Sequence, residues 1–248
     1  MFHHPHSGWF FVFYSFFGST KNSLNENRVL PHKKTRHHLR IGALDSLNFS
    51  VLMPVYKKIL LNAPETRLMI QTSHSREIYD LLERQEIDLG FSSIELNRKN
   101  IRCQYLFKQP LYVIQYSNSP TNIQSISPQD LDPTKEICQH QEDSLLQWHN
   151  YWWKSGLQIR VDTTSLLDHF LSLPGYWAIV PYSTIHALSH PEQLQIYELT
   201  SPPPDRFCYI IESEREYTEE SLTCFRELFL SFLHDENFLR EYGLIPVK

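Results

Sequence analysis

Glycine is scarce in this chain, with 7 in 248 residues, far fewer than average usage supplies. Neither GxGxxG nor GxxxxGK[ST] occurs, so no glycine loop of the dinucleotide or nucleoside-triphosphate type is expected. Cysteine is sparse too. Cys103, Cys138, Cys208 and Cys224 stand far apart with no CxxC pair, which argues against a zinc ribbon or a disulfide scaffold and fits a reducing cytosol. HExxH, GxSxG and HxE…PCxxC are all missing. No catalytic residue, metal or cofactor is therefore expected. The one long apolar run, Trp9–Phe17, is too short to span a bilayer.

Charge is distributed unevenly. The first forty residues hold six of the 23 Lys/Arg and one of the 28 Asp/Glu, leaving residues 41–248 with a formal charge of about −10. An acidic body repels a phosphate backbone and makes a poor nucleic-acid surface. Residues 1–38 are expected to be unstructured or unrelated to the rest of the chain. They begin "MFHHPHSGWFFVFYSFFGST", an aromatic run without the basic start of an export signal. The cluster His3, His4 and His6 is read as incidental.

From residue 39 the pattern alternates. "HLRIGAL" reads as a strand ending at polar Asp45 and Ser46, and Leu52, Val55, Tyr56, Ile59 and Leu60 recur at helical spacing. "TRLMIQT" is a second strand, and Ser73 or Ser75 can cap a helix carrying Ile78, Leu81 and Leu82. "IDLGFSS" is a third strand. This β-α-β-α-β order predicts a parallel sheet with crossover helices.

A second unit begins after "LYVIQYS" (111–117). It contains a short strand near 135–139, an aromatic helix over 145–154, a strand in "LQIRVDT", a helix over 165–173 and the buried strand "WAIVPYS". "FCYIIES" (207–213) returns, and a last helix from Thr218 presents Leu222, Phe225, Phe229, Phe232 and Leu233. Two α/β lobes joined by two strand-like crossings make a hinged clamp, whose ligand sits where strand ends and helix starts converge. "QWHNYWW" is expected to pack its aromatics on a sheet. Asp168 and His169 are adjacent on a helix, so they form no dyad.

Three stretches carry a resemblance: "LRIGALDSLNFSVLMPVYKKILLNAPETRLMI", "DLLERQEIDLGF" and, more weakly, "DHFLSLPGYWAIVP". Over roughly residues 39–235 the chain resembles the effector-binding domain of LysR-type transcriptional regulators. The resemblance implies the α/β two-lobed type 2 periplasmic-binding-protein-like fold, two Rossmann-like subdomains joined by two crossover strands. Lobe I is then 39–110 and 213–248, lobe II 118–206, and the hinge strands 111–117 and 207–212. Two family positions depart: Gln85 stands where a turn glycine is usual, and "PGYWA" lacks the second glycine of a pair. The family's winged helix-turn-helix, its only DNA reader, is not expected in residues 1–38, which suggests a truncated or frame-disrupted product.

The resemblance also implies site residues. Ser46 and Ser75 match two pocket hydroxyls, and Thr163, Thr164, Gln139, His140 and Tyr176 are further effector-binding candidates. For both serines plain helix capping is the alternative. Pro110 stands where some relatives carry a charged pocket residue. Hydroxyls and free helix N–H groups facing one cleft suit a small-molecule effector such as a carboxylate. A cytoplasmic homodimer or homotetramer is implied, with Tyr56, Ile59, Leu60, Phe225 and Phe229 at the interface. Asp88 is expected to close a turn through backbone N–H bonds. Two other classes stay open on the same scaffold: an extracytoplasmic solute-binding protein, and an enzyme such as a dehydratase using Asp45 or Asp88.

Overall fold

The computed structural model describes residues 38–139, 143–154, 158–214 and 220–246, with the side chains of residues 220 and 221 left aside. Of the segment 1–38 only His38 is described, and His140 and Thr218 lie outside the described residues.

Alternation and helical stripes produce the first lobe as expected. Strand β1 (His38–Ala43) buries Leu39, Ile41 and Ala43. Helices α1 (Asp45–Phe49) and α2 (Leu52–Asn62) come next, then β2 (Arg67–Thr72), α3 (Ser75–Glu83) and β3 (Leu89–Ser92). Strand β1 lies between β2 and β3 and runs parallel to both. One correction concerns Asp45 and Ser46, which open the short helix α1 instead of ending a strand in a loop.

Past β3 the sequence pattern missed a strand. Residues 94–110 carry β4 (Ile101–Gln109), the longest strand described. The chain then crosses at Pro110 into a second sheet with β5 (Leu111–Tyr116). Proline has no N–H to give a ladder, so it suits the point where one ladder ends and another starts. Strand β6 (Gln124–Ile126), strand β7 (Ile137–Gln139), helix α4 (Asp143–Trp152), strand β8 (Ile159–Val161), helix α5 (Thr164–Leu171), strand β9 (Trp177–Pro181) and strand β10 (Leu194–Leu199) build the second lobe. Residues 200–205 lead back to β11 (Arg206–Ser213), and α6 (Glu220–Leu233), α7 (Glu236–Glu241) and β12 (Ile245–Pro246) complete the chain.

The first sheet has the order β12-β4-β11-β3-β1-β2, with β11 antiparallel to β3 and β4. The second has the order β6-β10-β5-β9, and the parallel pair β7-β8 joins its β9 edge through a bridge between Glu136 and Trp177. Segments 111–117 and 207–212, expected as hinge strands, are thus ladder members of one sheet each. The chain passes from one sheet to the other at Pro110, between β4 and β5, and again over residues 200–205, between β10 and β11.

Helices cover both faces of the first sheet. Helices α2 and α6 pack Val55, Tyr56, Ile59, Phe225 and Phe229 onto one side, while α3 packs Ile78 and Leu82 onto the other. Helix α3 approaches closely at Gly90: a Cβ there would lie 2.7 Å from Ile78 Cγ2 and 2.6 Å from Ile211 Cγ1. Only glycine fits between them.

The stretch "LLERQEIDLGF" terminates α3 in a Schellman motif. Glu86 N–H donates to Leu81 O at 2.9 Å and Gln85 N–H to Leu82 O at 3.0 Å, with Gln85 in the left-handed region at φ 59°. Asp88 fastens this turn to β1. Its carboxylate accepts the Arg40 backbone N–H at 2.8 Å and pairs with the Arg40 guanidinium, which also donates to Gln85 O at 2.7 Å.

Four of the five residues expected at a dimer interface are interior. Tyr56, Ile59, Phe225 and Phe229 are all buried in the first-lobe core, and of the five only Leu60 is exposed. The helical stripe marked the face turned toward the sheet. Exposed apolar groups lie elsewhere, at Leu61 on α2 and at Met69 and Ile70 on the sheet-edge strand β2.

Candidate functional site

A cavity of about 770 Å³ opens between the lobes. The first lobe contributes the start of α1, the end of β2 and the first turn of α3. The second contributes Gln139 at the end of β7, the first turn of α4, and Arg160, Asp162 and Thr163 ahead of α5. Asp205 and Arg206, from the crossing, complete the wall.

Ser46 and Ser75 both line this cavity. The Ser46 hydroxyl accepts from Arg206 Nη1 at 2.7 Å. Arg206 Nη2 donates to Gln109 Oε1 at 2.6 Å, and Gln109 Nε2 donates to Ser183 Oγ at 2.7 Å. Ser183 lies 3.4 Å from Ser50 Oγ, which itself donates to Ser46 O. These bonds link Ser46 to Gln109 and Arg206, the residues that flank the two chain crossings. Ser75 is tied to the end of β3: its hydroxyl lies 2.9 Å from Ser93 Oγ and accepts the Ser93 N–H at 3.1 Å.

The other candidates divide. Gln139 lines the cavity and donates to Thr164 Oγ1 at 3.2 Å. Thr163 also lines it and caps α5 by accepting the Leu166 N–H. Thr164 is buried behind the wall. Tyr176 packs against the second-lobe core and does not line the cavity: Trp177 starts β9, so the loop before it turns toward that core.

Thr164 has an unexpected partner. Its backbone N–H donates to Asp45 Oδ2 at 2.6 Å, so a first-lobe carboxylate sits on the first turn of a second-lobe helix, where an anion is favoured. Arg206, Arg76, Asp143 and Asp162 also line the cavity and were not singled out from sequence. Their signal was weak: Arg206 bonds Ser46 across 160 residues, and no local spacing reports such a contact.

Two reactive groups of the second lobe, Cys138 and Asp168, lie outside the cavity lining. Burial and the nearby Glu136 carboxylate push the Cys138 thiol up to about 12, against the opposing influence of Arg160, leaving it protonated and inert. Asp168 accepts from Tyr116 Oη and from Ser189, and is committed to them. Among the described residues no group of three or more His, Cys, Asp and Glu is placed to hold a metal ion. No described helix is long and apolar enough to cross a membrane.

Two α/β lobes flanking one cavity, with hydroxyls and helix starts at its walls, define a domain of the periplasmic-binding-protein-like class. Its sequence places it further. The chain belongs to the LysR substrate binding domain family, whose model matches residues 32–233. It is 28% identical over 136 residues to the HTH-type transcriptional regulator CitR of Bacillus subtilis, a match covering 50% of this chain and 44% of that protein. The chain thus aligns to less than half the length of this curated relative. Among solved structures, the regulatory domain of MexT, a transcriptional activator in Pseudomonas aeruginosa, superposes with a TM-score of 0.64 at 16% identity, covering 77% of this chain and 97% of that one. The reduced form of the OxyR regulatory domain from the same organism gives 0.64 at 16%, covering 78% and 97%. A full-length BenM mutant gives 0.63 at 17%, covering 85% and 71%. At these identities the likeness establishes the fold.

Proposed function

We propose that this chain is the effector-sensing part of a cytoplasmic LysR-type regulator, in which a small molecule carrying a carboxylate binds between the lobes and favours their closed arrangement. The observation that carries this reading is the inter-lobe cavity, with Ser46 linked to Arg206 and Gln109 beside the two chain crossings. The ligand shifts the lobes only by its difference in affinity between open and closed forms. The family match favours a regulator domain over an extracytoplasmic solute-binding protein. An enzymatic role finds no support in Asp88, paired with Arg40, or in Asp45, engaged with Thr164. Two chains would associate through Leu60, Leu61, Met69 and Ile70 on α2 and the open edge of β2. As proposed units, residues 39–109 with 206–248 form one lobe and 111–199 the other.

A calorimetric screen of small carboxylates, zwitterions included, tests the binding reading. Saturable binding that is abolished in Arg206→Met is expected, and no binding by any member of the library counts against it. The Asp45–Thr164 contact sets the resting position of the lobes. A charge-assisted hydrogen bond contributes about 1.5–3 kcal/mol, so Asp45→Ala should move the unliganded open–closed balance toward open by tenfold or more. Small-angle scattering checks it: the variant should show a larger radius of gyration, with Asp45→Asn intermediate. An unchanged radius would sink the latch.

A further inference from the structure

The charges around the cavity narrow what it accepts. Five carboxylates (Asp45, Glu77, Asp143, Asp162 and Asp205) line it against the three guanidinium groups of Arg76, Arg160 and Arg206. Several are committed. Asp205 pairs with Lys108 at 2.7 Å, and Arg206 holds Ser46 and Gln109. Asp45 already occupies the start of α5, so this second-lobe anion position is filled by the protein itself. Asp143 and Asp162, on the same lobe, have no hydrogen-bond or ion-pair partner among the described residues. The first lobe carries both signs, with Arg76 and Glu77 side by side in the first turn of α3. No side chain caps the start of α3, and Arg76 in its first turn is equally without a partner among the described residues.

We infer that the effector is bipolar: an amino acid or similar zwitterion with its anionic end on Ser75, Arg76 and the start of α3, and its cationic end toward Asp143 and Asp162. A plain carboxylate satisfies one wall and leaves two like charges facing the other across a confined space, which disfavours it. This inference rests on the binding reading above. It goes further by naming the chemistry of the second end.

The experiment compares each protein amino acid with its deaminated carboxylic acid by isothermal titration calorimetry on the full chain. An amino acid should bind about ten- to a hundredfold tighter than its deaminated counterpart, the range expected for charge-assisted hydrogen bonds. The double variant Asp143→Asn/Asp162→Asn should remove that preference while leaving the affinity of the deaminated acid unchanged or raised. Both side chains are exposed, so the fold should survive, as circular dichroism will verify. A deaminated acid that binds as well as its amino acid, or a preference that persists in the double variant, overturns the bipolar assignment while leaving the binding reading intact. Binding by neither class overturns both.

Discussion

Truncation of Phe225 to alanine is expected to lower the unfolding free energy by about 3–5 kcal/mol, a large share of the roughly 5–15 kcal/mol that a domain commonly has. The ring has no exposed surface. It stacks on Phe229 with centroids 6.2 Å apart and lies within 6.2 Å of both Tyr56 and Phe91. Helix α6, α2 and β3 meet at this one side chain, so the cavity left by alanine cannot collapse without moving two helices. Leu61→Glu is the contrasting case. Leu61 is 79% exposed, so a charge there should leave the unfolding transition within about 0.5 kcal/mol while dissociating a dimer formed through α2 and β2. Urea denaturation reads the first quantity and light scattering after size exclusion reads the second. A Phe225→Ala chain of normal stability that ran as a monomer would return α6 to the interface and contradict the buried placement.

The contrast between those two residues marks how far periodicity carries. An apolar stripe at helical spacing reports the side of a helix that packs, and in α2 that side faces the sheet. Tyr56 and Ile59 were legible as a stripe and misassigned as a surface. The mark of an exposed face was the widening at Leu60-Leu61, where two consecutive leucines cannot both face one sheet. The first lobe was legible because its strands are short apolar runs between helices with clean stripes. Strand β4, "IRCQYLFKQ", was not. It pairs on both sides, and a register shift beside Cys208 and Tyr209 on its partner disturbs the alternation. Strand β10, "LQIYEL", buries Leu194, Gln195 and Leu199, an order with no period of two.

The cavity was partly legible for the same reason. Strand ends and helix starts converge in this architecture, so Ser46, Ser75, Gln139 and Thr163 reach the cavity from their local positions alone. What the resemblance did not supply was the charged set between them. Asp45 caps a helix 119 residues away, and Arg206 comes after a proline-rich turn whose direction depends on the assembled lobes. These contacts arise from tertiary closure, and no window of sequence contains both partners.

The same holds for the pair whose disruption should cost about as much as any in the second lobe. Replacing His149 by leucine is expected to destabilise the chain by about 3–5 kcal/mol, because it strands a buried carboxylate. His149 Nε2 lies 2.5 Å from Glu136 Oε2, and the two side chains are 4% and 0% exposed. Glu136 Oε1 makes no hydrogen bond among the described residues, so His149 is the main compensation for that group. The imidazole also packs edge-on against Trp153 at 5.0 Å, and Trp153 lies against Trp177 on β9. The pair therefore fixes α4 to the sheet at the bridge that joins β7 to β9. Its effect reaches the cavity, since the first turn of α4 carries Asp143 and Leu145 into the wall. If the cost is stranded charge and not lost packing, Glu136→Leu in the His149→Leu background should recover most of the stability, as apolar replacement of whole buried pairs commonly does. A double-mutant cycle in urea separates the two, with a coupling of about 2 kcal/mol or more expected for the ionic account. Additive losses would instead assign the anchoring of α4 to the Trp153–Trp177 contact, and the carboxylate would be a passenger in the wall it stands behind.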